Sequence, residues 1–191
     1  MKPKILAFAG SSRKDSFNKK ILKIAAAAAE QAGAEVTSLD LKDYPLPLFD
    51  QDLELAEGAP ANSLKLKKIF KEHTGLLIAS SEYNSSITPL LKNTVDWVSR
   101  QTDEEKSLEC FAGKTAAILS ASPGALGGLR GLVHLRSILG NIQVLVIPDQ
   151  ASVPQASQGF DEKGNLKDSK HQSSVEKTGS SLAKVLLKLQ S

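Results

Sequence analysis

Five short strand-like segments, each followed by helical spacing, leave this chain few folds to choose from. They are Ile5–Ala9, Val36–Leu41, Leu76–Ala79, Thr115–Ser120 and Val144–Ile147. Leu76-Leu77-Ile78-Ala79 is apolar throughout, as a strand covered on both faces of a parallel sheet must be. Asn18–Ala32 places Ile21, Ala25, Ala28 and Ala32 on one stripe with Leu22, Ala26 and Ala29 beside it, and Gly33 ends the pattern. So many alanines predict close packing against a sheet. Further helices are predicted from Pro60 or Ala61 to His73, from Thr88 or Pro89 to about Arg100, over Gly127–Leu139, and from about Lys170 to Gln190. Strand and helix in alternation give an α/β protein: a doubly wound, five-stranded parallel sheet in three layers.

The connections are irregular. Tyr44–Asp50 contains two prolines that lack an N–H donor, so it reads as a long connection continuing past Glu57-Gly58. Gln101–Gly113 is a polar connector, and Ser152–Asn165 is turn-rich and expected to be ordered only in part.

The chain has 191 residues, 41% of them apolar and 24% charged, with a net charge of +3. That size supports a single domain spanning 1–191 with its own core. Its lysines are scattered and the net charge is small, so nucleic acid is not implied as a partner. The lone cysteine, Cys110, excludes an intrachain disulfide, a CxxC redox pair and a Cys-based zinc site, and reads as a small buried hydrophobe. The apolar run near the start is shorter than the roughly 7–15 residues of a signal peptide. Nothing approaches the ~18 apolar residues of a membrane helix. A cytoplasmic protein with no membrane partner is expected.

Gly10-Ser11-Ser12-Arg13-Lys14-Asp15-Ser16-Phe17-Asn18 joins the first strand to the first helix. Backbone N–H groups in a first helical turn lack intrahelical partners, and the helix dipole favours an anion there. Ser11, Ser12 and Ser16 add hydroxyls, Asn18 an amide, and Arg13 a forked cation suited to phosphate. The plainer alternative is a capping Ser16 and a solvated Arg13. The loop is neither Gly-x-x-x-x-Gly-Lys-[Ser/Thr] nor Gly-x-Gly-x-x-Gly. Side-chain donors around a single glycine suit one terminal phosphate better than a diphosphate, and so point to a mononucleotide.

With this loop after the first strand, the strand order 2-1-3-4-5 is expected, and a ligand belongs beyond the strands' carboxyl ends. The loops after strands three and four should then join the first. Ser81-Glu82-Tyr83-Asn84-Ser85 offers amides and an aromatic ring, and Ser120-Ala121-Ser122-Pro123-Gly124 offers hydroxyls and a glycine that lets a flat ring approach. Each alone reads as a turn, a cap or a bend. Together, at three predicted strand ends, they read as a mononucleotide site.

These residues resemble the NADPH-dependent FMN reductase family of flavodoxin-like proteins, which includes quinone, chromate and azo-compound reductases. The first loop looks like that family's FMN phosphate loop. Glu82-Tyr83-Asn84, followed by Leu90-Leu91-Lys92-Asn93-Thr94-Val95-Asp96-Trp97, is similar to its second signature. Ser122-Pro123-Gly124 with Gly127-Gly128, Leu135-Arg136 and Leu139 is similar to its third. The resemblance implies that Ser11, Arg13, Ser16, Phe17 (by its backbone) and Asn18 hold the FMN phosphate. It implies that Glu82, Tyr83 and Asn84 border the flavin ring, with Ser122 and Gly124 nearby. Where the family usually has proline before Glu-Tyr-Asn, this chain has Ser81, which removes a fixed φ but no donor.

The implied activity is hydride transfer from NAD(P)H to FMN N5, then reduction of a small acceptor: quinone, azo compound, chromate or flavin. Flavin carries that chemistry itself, so no side chain is required as acid or base. His73, His134 and His171 show no metal spacing; His73 and His171 read as surface residues and His134 as part of a helix or subunit contact. The family resemblance also implies a homodimer or homotetramer. Tyr44–Asp52, Trp97, Arg100 and Arg130–Arg136 are candidates for that contact, and Trp97 reads equally well as core. The competing function is a flavodoxin-like FMN electron carrier without nicotinamide turnover; such carriers are usually acidic, and this chain is slightly basic. A serine hydrolase using Ser12 or Ser16 would need Gly-x-Ser-x-Gly, which is absent.

Overall fold

Lys4–Ala9 forms β1, which pairs in parallel with β2 (Glu35–Leu39) on one side and β3 (Gly75–Ala79) on the other. In the computed structural model, which describes residues 2–102 and 105–190, β6 (Thr115–Ala121) and β7 (Leu145–Val153) complete a sheet of order β2-β1-β3-β6-β7. All four pairings are parallel. Setting aside a two-stranded hairpin described below, this is the expected 2-1-3-4-5.

Alternation along the strands feeds two cores. Ile5, Ala7, Ala9, Leu77, Ala79, Ala117 and Leu119 face α1 (Phe17–Gln31) and α6 (Ser169–Leu189). Leu6, Phe8, Leu76, Ile78, Ala116 and Ile118 face the opposite layer, made by α3 (Ala61–Lys71), α4 (Pro89–Ser99) and α5 (Leu129–Asn141). The first core is rich in alanine, so helices lie close to the sheet; the second holds Phe8, Phe70 and Phe111 in edge contacts. Trp97 is fully buried and its Nε1 donates to the Pro47 carbonyl at 2.8 Å, which settles it as core. Thr88 caps α4 through Leu91 N and also donates to the Gly10 carbonyl at 2.8 Å, tying the first loop to that helix.

Several connections are more structured than their composition predicts. The Tyr44–Gly58 connection contains α2 (Gln51–Glu57), which buries no side chain and so shows no apolar stripe; its Asp50 cap and an Arg100–Glu54 ion pair at 2.8 Å hold it. Strand β7 does not stop at Ile147. Its register shifts across Pro148 and resumes at Gln150, a break that an edge strand tolerates, and Arg136 donates to the Val146 and Ile147 carbonyls there. Past Val153 the turn-rich segment is packed rather than partly ordered: Ala156 is buried, Phe160 stacks on Phe17, and Phe160 bridges to Leu166. The polar connector before β6 buries Cys110 and Phe111. His73 is not a surface residue. It is buried, with Nδ1 on the Ile69 carbonyl at 2.7 Å and Nε2 on Thr37 Oγ1 at 2.8 Å, because the chain reverses there from α3 into β3.

The same connector carries a buried ion pair. Lys67 is 2% exposed and donates to the Arg100 carbonyl and to Glu105 at 2.5 Å; Lys71 bonds the other Glu105 oxygen at 2.8 Å. Burial alone would raise the Glu105 carboxyl, but the hydrogen bonds from Lys67, Lys71 and Thr102 hold it down at about 2. A carboxyl depressed in the folded state stabilises fully above its ordinary value of 4.5, and the contribution declines as pH falls towards 2. Chemical denaturation of wild type and Glu105→Gln between pH 6 and 3 should show a difference that shrinks with acid; a constant difference counts against the pair.

Candidate functional site

Three strand ends meet at the carboxyl edge of the sheet. The cleft between them is lined by Ser11, Arg13, Ser16, Phe17 and Asn18 after β1, by Ser81, Glu82 and Tyr83 after β3, and by Ala121, Ser122 and Pro123 after β6. The chain leaves β1 for α1 on one face of the sheet and leaves the neighbouring β3 for α4 on the other, which makes this the switch point at which α/β sheets take ligands.

The first loop ends at Ser16, the N-cap of α1. Its Oγ accepts from Lys19 N at a long 3.4 Å, and Ser11 Oγ accepts from Arg13 N at 3.4 Å. Both hydroxyls are buried and keep their hydrogens to donate. Among the described residues, no acceptor takes the N–H of Phe17 or Asn18, the first two of the helix. Arg13 forms no ion pair among the described residues; its guanidinium lies over the Phe17 ring, 5.7 Å from the centroid. A cation without a carboxylate, two hydroxyl donors and two helix N–H groups form a donor set that fits a phosphate.

Across the cleft, the polar loop after β3 is a hairpin. β4 (Glu82–Tyr83) pairs with β5 (Ser86–Ile87), and Asn84 and Ser85 turn it with φ of 49° and 68°. Positive φ at both central residues is the tight-turn geometry that matches strand twist and that asparagine tolerates. Glu82 fastens the hairpin to α5. Its Oε1 accepts from Arg130 Nη2 at 3.0 Å, and its Oε2 accepts from Gly131 N at 2.9 Å. Helix α5 starts at Gly128, in the left-handed region at φ 87° with no side-chain cap, so the Glu82 carboxylate supplies the missing cap from outside. A side chain at Gly128 would collide with Ser120, its Cβ 1.8 Å from Oγ. His134 Nδ1 lies 2.9 Å from Ser86 Oγ, so this histidine makes a helix–hairpin contact. Tyr83 is left 54% exposed beside the cleft.

Of the ten residues nominated from sequence, eight line one cleft; Asn84 sits in the hairpin turn and Gly124 in the turn beyond Pro123, neither on its wall. Sequence reasoning missed Arg130 and Gly131 as the anchors of Glu82, because that contact joins segments 48 and 49 residues apart. Among the described residues no group of His, Cys, Asp and Glu could hold a metal, and no helix is long and apolar enough to cross a membrane. Burial pushes the Cys110 thiol up to about 11, as an inert interior sulfur requires.

The sheet order, with a donor-rich cleft at the strand tips, defines a flavodoxin-like α/β protein. Residues 3–158 match the profile of NADPH-dependent FMN reductase, and the chain belongs to that family. It is 35% identical to the quinone reductase of Escherichia coli K12 over 147 residues, 76% of this chain and 74% of that one. It is 34% identical to an NADPH:quinone oxidoreductase of Arabidopsis thaliana over 192 residues, covering 98% and 90%. Among solved structures it resembles FerB, the flavoenzyme NAD(P)H:(acceptor) oxidoreductase of Paracoccus denitrificans, with a TM-score of 0.81, 25% identity and coverage of 97% and 98%. The chain is thus an oxidoreductase of the NAD(P)H-dependent FMN and quinone reductase kind.

Proposed function

We propose that the cleft holds FMN with its phosphate on the first loop and its ring towards Tyr83, Ser122 and Pro123, and that the chain passes electrons from NAD(P)H to a small acceptor. The observation that carries this is Arg13: a cation with no ion pair among the described residues, beside two buried hydroxyls, within one cleft that Tyr83 also lines. Bound there, FMN would supply the redox chemistry, taking hydride at N5 and handing electrons to a quinone, azo compound, chromate or free flavin.

The protein's own residues bind, orient and leave access. Ser11 and Ser16 donate hydrogen bonds to the phosphate, Arg13 offsets its charge, and the helix dipole of α1 adds to them. The Glu82–α5 latch sets the height of the hairpin, so Tyr83 borders the ring without being fixed over it. A half-exposed Tyr83 leaves room for nicotinamide and acceptor to occupy the same face in turn. Both ring nitrogens of His73 are taken by the Ile69 carbonyl and Thr37 Oγ1, so His73 is not offered as a proton donor to the cleft.

Purified protein mixed with FMN, NADPH and a soluble benzoquinone should oxidise NADPH with many turnovers per flavin. Flavin binding without NADPH oxidation would leave an electron carrier in its place. A protein that stays colourless and takes up no FMN would end the proposal.

A further inference from the structure

Asn18 and Ser81 form a tie between the loops that the phosphate-loop reading does not account for. Asn18 stands in the first turn of α1 and is 3% exposed. Its Oδ1 accepts from Ala121 N at 2.9 Å, and its Nδ2 donates to the Ala121 carbonyl at 2.9 Å and to Ser81 Oγ at 3.0 Å. The amide therefore pairs with one residue of β6 as a neighbouring strand would. Exchanging its oxygen and nitrogen would set like against like at both backbone groups, so the orientation is determined. Both amide hydrogens are spent inside the protein, and what Asn18 still offers the cleft is its backbone N–H.

Ser81 completes the tie differently. Its backbone is held in place: Ser80 N donates to the Leu119 carbonyl at 2.8 Å, and Ser80 Oγ donates to the Ser81 carbonyl at 3.2 Å. Its Oγ accepts from Asn18, and no acceptor among the described residues takes the Oγ hydrogen. Ser81 lines the cleft, between the α1 first turn that holds Asn18 and the hairpin that carries Tyr83.

We propose that Ser81 is a further ligand-binding residue: it receives a hydrogen bond from Asn18 and returns one to a hydroxyl of the polyol chain linking phosphate to ring. This rests on the FMN reading above. In such a ligand the polyol is the part between the phosphate, at Ser11, Arg13 and Ser16, and the ring, at Tyr83. It is also the part rich in hydroxyl acceptors. A hydroxyl already polarised by a donor is the better donor itself. Ser81 thus gives the loop a hydrogen-bonded constraint, completed by the ligand, where the family resemblance anticipates the covalent constraint of proline.

The test is a chemical cycle on affinity, read by quenching of flavin fluorescence. FMN and analogues lacking one ribityl hydroxyl at a time are titrated into apoprotein of wild type, Ser81→Ala and Ser81→Thr. Ser81→Ala should weaken FMN about 5- to 20-fold, the effect of one hydrogen bond and its orphaned partner, and Ser81→Thr should restore most of it. For one deoxy analogue Ser81→Ala should cost little more, because the partner hydroxyl is already missing. Equal loss for every analogue would make Ser81 a purely structural residue and overturn the proposal. Unchanged FMN affinity in Ser81→Ala would also overturn it. A wild type that binds none of these flavins would instead sink the function proposed above.

Discussion

Arg13→Ala should weaken FMN roughly 10- to 100-fold while leaving riboflavin within about 3-fold. The range follows from a charge-assisted hydrogen bond to phosphate, worth about 1.5–3 kcal/mol, at 1.4 kcal/mol per tenfold. Riboflavin differs from FMN only by the phosphate, so comparing the two isolates the charge from the general shape of the cleft. The guanidinium forms no ion pair among the described residues, so its removal leaves no carboxylate stranded and should cost the apoprotein little stability. It does lie over Phe17, and loss of that contact at an exposed site is worth about 0.5–1 kcal/mol at most. Titration of both flavins into apoprotein, followed by fluorescence, measures the split. Equal loss for both would show that Arg13 does not face the phosphate.

Gly179→Ala should destabilise the protein although it replaces glycine with the best helix former in the middle of α6. In isolation that change is worth about 1 kcal/mol in favour of the helix. Here a Cβ at 179 would lie 1.9 Å from the Ala25 carbonyl oxygen and 2.7 Å from its carbon, and backbone cannot rotate away as a side chain can. The α1–α6 contact would have to open. Overpacking costs about 1–3 kcal/mol or more, and a clash with backbone this short belongs at the upper end, so after the helix gain of about 1 kcal/mol a net loss of about 2 kcal/mol is expected. At 2–4 °C per kcal/mol for a chain of this length, the melting temperature should fall by about 4–8 °C. Gly140→Ala, in α5 with nothing within 4 Å of the new Cβ, is the control and should be neutral or slightly stabilising. A Gly179→Ala protein as stable as wild type would mean that the two helices do not approach this closely.

Much of this architecture is written in local pattern. The apolar run Leu76–Ala79 needs two covered faces, and only the middle of a parallel sheet provides them; β3 sits between β1 and β6. The alanine stripe on α1 predicts close packing against a sheet, and Ala25, Ala26 and Ala29 share a core with Ala7, Ala9 and Ala117 of the strands; the approach of Gly179 on α6 to Ala25 had no such signal. The cleft was legible for the same reason: a loop that opens a helix carries its own unpaired donors, and topology sends loops after β1, β3 and β6 to one edge. What escaped had no local signature. Helix α2 buries nothing, so its segment lacks a periodic stripe. β7 continues past Pro148 because an edge strand loses no ladder partner there and Arg136 satisfies the freed carbonyls. His73 looks like any polar residue at a helix end until Thr37, 36 residues away, closes on it.

The sequence by itself determined the layers, the strand order and the edge at which a ligand can sit, because hydrophobic period and orphaned backbone donors are properties of neighbouring residues. Only the tertiary structure decided what the polar side chains do. Asn18 becomes a clasp on Ala121 and Glu82 a cap for α5, while Arg13 finds no counterion among the described residues. A polar group has several partners open to it along the chain, and its choice falls to whichever complementary atom the folded core carries within about 3 Å.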